Sequence, residues 1–177
     1  MKTYFKIMAL ALCLTACGTT VKPSVKPVAL PVGAFVDEQG CFVMNDNVGE
    51  VEPLLKRLVF EHYTPMNGMK ETEILAAISA AKSRSCDMNQ RDDAGFAPLH
   101  TAILLHDIKM MAFLLQNGAS PRAKIVADTR KQGSEEFHQQ DSFQLVETLK
   151  RYEKRDNRGK LRNDWQKIEQ LLRQYDK

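Results

Sequence analysis

The side chains that could carry out chemistry are few in this sequence, and their spacing matches no catalytic pattern. Neither a G-x-S-x-G nucleophile elbow nor a phosphate-binding glycine loop is present. Residues 135–138 contain the letters of the zinc-protease motif H-E-x-x-H, but without its spacing. Asp92 and Asp93 form a pair of adjacent carboxylates, which is better explained by turn formation. We therefore predict no catalytic residue, no metal site and no cofactor, and we expect that the protein is not an enzyme.

The thiol of Cys17 stands in the one pattern that predicts a chemical modification. Lys2 and Lys6 form a basic start, and an apolar run over residues 7–14 follows. Thr15 and Ala16 then bring small residues directly before the cysteine, as at the cleavage site of a secretory signal. The run is too short to cross about 30 Å of hydrocarbon, which needs about 20 residues. The pattern therefore favours a cleaved signal over a membrane-spanning anchor.

Residues 14–17 (L-T-A-C) resemble the lipobox of bacterial lipoproteins. The resemblance implies that residues 1–16 are cleaved and that Cys17 is acylated as the first residue of the mature chain. In this family an aspartate after the cysteine is associated with inner-membrane retention, whereas here Gly18 follows. We therefore expect a protein anchored by lipid in the outer membrane and facing the periplasm.

Prolines recur every four residues behind the cysteine, at Pro23, Pro27 and Pro31. This spacing predicts that residues 17–34 form an extended tether, which at about 3.1 Å per residue reaches roughly 50 Å. Residues 35–177 are expected to form one folded domain. Loss of the signal removes two of the 25 basic residues and none of the 22 acidic ones, so the mature chain is almost neutral and binding to nucleic acid is disfavoured.

Two cysteines remain in the mature chain, Cys41 and Cys86. In an oxidising periplasm such a pair tends to form a disulfide, which would contribute about 4 kcal/mol through the chain entropy of the unfolded state. The alternative is two buried thiols that pack as small apolar groups. Sequence alone leaves both possibilities open.

Apolar spacing predicts a helix over residues 48–63, with Pro53 in its first turn, and a second helix over 71–84. Turn-forming residues separate the two at positions 64–68. The segment 41–46 is expected to be a short strand or a turn. Near the carboxyl end, a helix is predicted from the cap Asp141-Ser142 and a last one over 165–175.

Residues 97–102 read A-P-L-H-T-A, Asp92 and Gly95 stand before them, and Asn117-Gly118-Ala119 closes the following apolar run. This segment, 85–123, resembles an ankyrin repeat, a unit of about 33 residues with a turn and two helices. The resemblance implies that His100 hydrogen-bonds between turns rather than binding a ligand. His106 replaces the family's glycine between the helices.

The flanking segments carry the repeat pattern only weakly. The two helices over 48–84 form an atypical first repeat, and a polar stretch over 124–140 stands where the next turn is expected. The last two helices are expected to cap the stack. Together these patterns predict an all-α fold, a short stack of about three ankyrin-type repeats with degenerate outer members.

Ankyrin repeats bind proteins through their finger turns and the exposed face of their first helices. By the matched register, this resemblance implies a partner-binding surface at Asp93, Phe96, Leu104, Leu105 and Asn117, with Gln90 and Arg91 as a polar rim. Phe96, Leu104 and Leu105 are unusually apolar for an exposed surface. Either a partner covers them, or the segment 124–140 or the first repeat folds over them; the sequence does not decide between the two.

A lipobox, a short tether and a small ankyrin stack together resemble the immunity lipoproteins that neutralise phospholipase effectors of type VI secretion. The resemblance implies a monomeric, non-catalytic inhibitor that binds a secreted lipase. The alternative is an envelope scaffold that binds several resident periplasmic proteins.

Overall fold

A computed structural model describes residues 28–45, 49, 51–66, 68–128, 135–156, 159 and 164–176. Within these residues, three strands precede six α-helices. The strands are β1 (Ala34–Val36), β2 (Phe42–Asn45) and β3 (Val51–Pro53); the helices are α1 (Leu54–Tyr63), α2 (Glu71–Ser83), α3 (Pro98–Leu104), α4 (Ile108–Gln116), α5 (Ser142–Asp156) and α6 (Trp165–Gln174). A 3-10 turn, Glu135–Phe137, precedes α5. No helix within these described ranges is long and apolar enough to span a bilayer.

The three strands form an antiparallel sheet in the order β1-β2-β3. Phe35 pairs with Val43, which pairs in turn with Pro53. Of the described residues, 51% are helical and 8% lie in strands, so the fold is mixed α/β and the prediction of an all-α fold is wrong. The segment 41–46, expected to be a short strand or a turn, contains β2, but strands of three or four residues are too short to show the alternating pattern that would predict a sheet.

The first predicted helix, 48–63, is also corrected, because α1 begins only at Leu54. Val51, Glu52 and Pro53 belong to β3 instead. The proline explains the boundary, since its ring disfavours the helical conformation for the residue before it. The apolar spacing that predicted the helix therefore continues through the three residues of β3.

The helices are arranged as three pairs. The first helices of the pairs lie side by side, with α3 between α1 and α5, while α2 packs on α1, α4 on α3 and α6 on α5. One continuous apolar core runs through all three pairs. Its largest fully buried side chains are Leu54, Leu58, Ile74, Ile78, Leu99, Ile103, Met110, Met111, Leu114, Ile125, Leu145 and Ile168.

The polar stretch before α5 folds back against the turn that precedes α3. Val126 N–H donates to the carbonyl of Gly95 at 3.0 Å, and Gln139 N–H donates to the carbonyl of Ile125 at 2.8 Å. Ile125 is fully buried. This stretch is thus part of the packed structure where it is described, at 124–128 and 135–140.

The sheet is attached to the end of α2 by three contacts. Cys41 and Cys86 form a disulfide with a Cα–Cα distance of 5.6 Å. The guanidinium of Arg84 lies 4.9 Å from the centre of the Phe42 ring, and its Nη1 donates to the carbonyl of Gly40 at 3.0 Å. The structure therefore has the disulfide that the sequence left open, and this bond holds the sheet beside the first helix pair.

Candidate partner-binding face

Two polar contacts set the alignment of α1 and α3. Near the start of α1, Lys56 Nζ lies 3.3 Å from Asp92 and 3.1 Å from Asp93, in the turn before α3. At the carboxyl end of α1, His62 Nδ1 lies 2.5 Å from Oδ2 of Asp107, which follows α3. Because both starts and both ends are joined, the two helices run parallel.

The Lys56 contact is a small ionic network. Burial by itself would lower the pKa of Lys56, but the hydrogen bond to Asp93 and the negative charge of Asp92 raise it overall. The hydrogen bond from Lys56 lowers the pKa of Asp93. Two-thirds of the Asp93 side chain stays exposed, so this carboxylate is both paired within the chain and open to solvent.

His62 joins the first helix pair to the second. Its Nδ1 contacts Asp107, whose Oδ1 accepts a hydrogen bond from Met110 N–H at 3.0 Å and so caps α4. Its Nε2 lies 3.6 Å from Glu71, near the start of α2. The imidazole therefore fixes the carboxyl end of α1 relative to the corner between α3 and α4.

Large apolar side chains are exposed where α1 and α3 end. They are Phe60, Tyr63, Met66 and Leu104, which are between 37% and 61% exposed. Phe60 and Leu104 each occupy the seventh position of their parallel, neighbouring helices. We call these four residues the helix-end patch; an exposed apolar group of this kind marks a contact surface more often than isolated apolar residues do.

The three apolar residues that the sequence predicted as one surface are separated. Leu104 is exposed and belongs to the helix-end patch, whereas Leu105 is half-buried against the core. Phe96 is half-buried, and its ring centre lies 5.9 Å from that of Phe137 in the 3-10 turn. For Phe96, the structure therefore has the internal cover by segment 124–140 that the sequence left open.

The predicted polar residues lie at the opposite end of α3 from Leu104. Gln90 is half-buried, and Arg91 is exposed but uses Nε to donate to the Lys124 carbonyl at 2.8 Å. Asn117 ends α4 and donates from Nδ2 to the Phe113 carbonyl at 2.8 Å. Since α4 runs back along α3, Asn117 lies near the turn before α3, at the same end as Gln90 and Arg91.

Phe60, Tyr63 and Met66 were missed by the sequence reasoning. The available sign was their position, since Phe60 and Tyr63 fall outside the apolar stripe of Leu54, Leu58 and Val59 that α1 buries. Bulky apolar residues outside the buried stripe of an amphipathic helix are candidates for a contact surface.

A second surface feature, lined by both polar and apolar groups, lies on α5. An open depression of about 400 Å³ lies along this helix, lined by Gln140, Phe143, Gln144, Glu147, Thr148 and Arg151.

Within the described part of the chain, no three His, Cys, Asp or Glu side chains are grouped so that they could hold a metal ion.

His100 is fully buried and connects two backbone segments. Its Nδ1 accepts from Ala97 N–H and its Nε2 donates to the Ala123 carbonyl, both at 3.1 Å. A carbonyl can only accept, so this geometry needs the neutral tautomer that carries its hydrogen on Nε2. Burial lowers the pKa of His100 to about 4.

The depressed pKa of His100 predicts a loss of stability on acidification. An unfolded chain takes up a proton on this histidine below pH 6.5, whereas the folded chain does so only near pH 4. The folded state is therefore favoured fully above pH 6.5, and linkage predicts a loss of about 2 kcal/mol between pH 7 and pH 4.5. Urea unfolding at both pH values measures it.

His100→Gln is the matched control for this prediction. The variant should be less stable at pH 7, because it disturbs two buried hydrogen bonds, but it should lose less stability than the wild type on acidification. Measurement above pH 4.5 limits the contribution of carboxylates such as Asp93, whose pKa is lowered. Equal pH dependence in both proteins would show that another group is responsible.

Comparisons with protein-family models, with curated proteins and with solved structures found no match to this chain.

Proposed function

We propose that this chain is a lipid-anchored, protein-binding module of the bacterial periplasm, and that it is an immunity protein against a secreted antibacterial phospholipase. The observation that carries the proposal is the helix-end patch, where Phe60 and Leu104 are exposed at matching positions of two parallel helices. A group of exposed apolar side chains on a folded protein marks a surface that contacts another molecule.

Two sequence features support the cellular setting and the type of activity. The lipobox-like residues 14–17 support an acyl anchor on Cys17, which lies outside the residues that the structure describes. The ankyrin-like segment 85–123 supports a protein-binding role, because that family acts through surfaces rather than through catalysis. The proposal does not require any reacting group, which agrees with the absence of a catalytic pattern in the sequence.

The mechanism is steric. A phospholipase must have an apolar surface around its active site in order to contact lipid, and such a surface is complementary to the helix-end patch. Binding there would cover the entrance to the active site. The tether would hold the inhibitor at the membrane under attack, which raises its local concentration without any additional contact.

The depression on α5 supports the scaffold alternative, because it is a second surface, separate from the helix-end patch, to which another protein could bind. An immunity protein is expected to have one tight partner, whereas a scaffold would have several weaker ones. Purification of the lipidated chain with its bound proteins, followed by a count of those proteins and measurement of their affinities, separates the two.

The decisive experiment is a competition between bacteria. A strain that lacks this protein should be killed by sister cells that secrete the phospholipase, and the wild-type gene should restore survival. The double variant Phe60→Asp, Leu104→Asp should not restore it, because two charges in an apolar interface should weaken binding at least roughly 100-fold. Binding of the purified effector measures that change.

Val126→Asp is the matched control. It also places an acid at an exposed apolar position, but at the opposite end of α3 from Leu104. It should protect as well as the wild type. If the deletion strain survives as well as its parent, the immunity role is wrong. If the double variant protects fully, the helix-end patch is not the binding surface.

A further inference from the structure

The disulfide between Cys41 and Cys86 closes a loop that contains most of the helix-end patch. Phe60, Tyr63 and Met66 all lie between the two cysteines, within α1 or just after it. The fourth member of the patch, Leu104, lies outside the loop on α3, as do all of the second and third helix pairs. The bond therefore restrains the chain around three of the four patch residues and leaves α3–α6 outside its loop.

Local interactions favour α1 less than they favour the later helices. Its N-cap residue is Pro53, whose side chain makes no capping hydrogen bond, whereas Asp107 caps α4 and Asp141 caps α5. The same helix buries the charged side chain of Glu61. Among the described residues, Nε of Arg57 is one of the few buried side-chain atoms that lack a hydrogen-bond partner. Because buried charged and unpaired polar groups cost free energy, α1 depends on the elements against which it packs.

The disulfide joins two of the elements that hold α1. This helix contacts β2 and α2 as well as α3. Cys41 directly precedes β2, and Cys86 follows shortly after the end of α2. Cys86 is itself buried in the core cluster that contains Leu54 and Leu58 of α1. The bond thus fixes β2 and α2 relative to each other, and α1 packs on both.

The first helix pair stands at one end of the stack, where it can open without the others. In a stack of helix pairs, stability is approximately a sum over the pairs and the interfaces between neighbours. α3 lies between α1 and α5, and α3–α6 have a core of their own that includes Leu99, Ile103, Leu145 and Ile168. Loss of the disulfide is therefore expected to free α1 and α2 while the other two pairs stay folded.

We propose that the Cys41–Cys86 disulfide is a redox switch that assembles the helix-end patch, so that the chain binds its partner only in its oxidised form. This rests on the proposed function and on the periplasmic location. In the reducing cytoplasm the two cysteines would be thiols, and the patch would not be assembled before export. Outside the cytoplasm the bond would form and complete the binding surface.

The switch closes by thiol–disulfide exchange with an oxidant that itself carries a disulfide. The thiolate of Cys41 attacks one sulfur of the oxidant, which breaks the oxidant's S–S bond and forms a mixed disulfide. The thiolate of Cys86 then attacks Sγ of Cys41, forms the protein disulfide and releases the oxidant in its thiol form. The protein loses two electrons and two protons, and the oxidant gains them.

Hydrogen exchange of the α1 amides, together with the fluorescence of Trp165, tests the switch in the full, lipidated chain. Trp165 is the single tryptophan of the sequence and is buried at the start of α6, so it reports on the later pairs. Reduction should speed the exchange of α1 about 1,000-fold, the factor that loop-closure entropy gives for a span of 45 residues. The fluorescence of Trp165 should stay native. Re-oxidation with glutathione disulfide should restore slow exchange.

Two variants separate the switch from a general loss of stability. Ile168→Ala removes a fully buried side chain from α6 and leaves the disulfide loop unchanged. It should lower the urea midpoint of the Trp165 signal but leave the exchange of α1 in the oxidised protein near that of the wild type. The double variant Cys41→Ala, Cys86→Ala should behave as the reduced wild type and should fail to protect cells in the competition between bacteria.

The contrary results are distinct. If reduction unfolds α1 and the surroundings of Trp165 together, the bond stabilises the whole domain and is not a switch for the patch. The same conclusion follows if the α1 amides exchange equally fast with and without the bond. If α1 opens as expected but the cysteine variant still protects cells, the bond does not control binding. Survival of the deletion strain would overturn the immunity role, whereas the exchange measurement would still decide whether the bond assembles the patch.

Discussion

Replacement of Cys41 and Cys86 by alanine is expected to lower the free energy of unfolding by about 4 kcal/mol, because the bond closes a span of 45 residues. The span includes β2, β3, α1 and α2, so the bond restricts the unfolded chain across the whole first helix pair. A loss of this size is a large part of the stability of an ordinary domain. Urea unfolding of the wild type and the double variant measures the difference.

Reduction of the wild-type protein is the control, since it breaks the bond while leaving both sulfur atoms in place. Reduced wild type and the double variant should lose similar stability if chain entropy dominates. A much larger loss in the variant would indicate that packing of the buried Cys86 side chain contributes. A loss below about 1 kcal/mol in both would show that Arg84 and the other contacts hold the sheet without the disulfide.

Elements with strong local signals could be predicted from the sequence. Pro98 opens α3 as expected, because its ring suits the first helical position and removes a donor that would have no partner. Asp141 stands at the predicted start of α5, where its Oδ1 accepts from the backbone N–H groups of Phe143 and Gln144. In both cases the information is contained within a few neighbouring residues.

The sheet could not be predicted in this way. β1 follows directly after a proline-rich stretch, and β3 continues the apolar period of α1, so neither has a local pattern of its own. The strands exist because they pair with β2 and because Cys41 and Arg84 connect the sheet to α2. These are contacts between distant residues, which a single sequence does not reveal.

Only part of the candidate site could be predicted, because the rest depends on contacts between distant residues. Leu104 is exposed, as the register of the repeat implied, because that position is defined within its own helix. Phe96 is covered by Phe137, which lies 41 residues further along the chain in a segment without a regular pattern. Phe60 belongs to the helix-end patch because α1 and α3 run parallel, and that alignment depends on contacts between residues far apart in the sequence.

His106 stands where the ankyrin repeat that residues 85–123 resemble would have a glycine. Its backbone adopts the left-handed conformation with φ of 55°. Its ring packs edge-on against Trp165 at 4.3 Å, and its Nδ1 lies 3.3 Å from Asp164. The strain of a non-glycine residue at this corner is thus offset by contacts that join the second helix pair to α6.

The other large effect is expected from Gly95→Ala, in the turn before α3. Gly95 has φ of +86°, and a Cβ there would lie 2.2 Å from the carbonyl oxygen of Val126. The obstructing atoms belong to backbone, so a side-chain rotation cannot relieve the clash. Val126 must move, which breaks its hydrogen bond to the Gly95 carbonyl and disturbs the buried neighbour Ile125. We expect a loss of at least about 3 kcal/mol.

Gly40→Ala separates the clash from the cost of the backbone conformation. Gly40 has nearly the same φ, +88°, but no atom lies within 4 Å of the position that its Cβ would take. This variant should therefore lose only about 1 kcal/mol, the cost of a left-handed conformation for alanine. Urea unfolding of both variants gives the difference, which belongs to the contact between Gly95 and Val126. Equal losses would mean that the segment after α4 yields easily, and that the cover it gives Phe96 does not stabilise the fold.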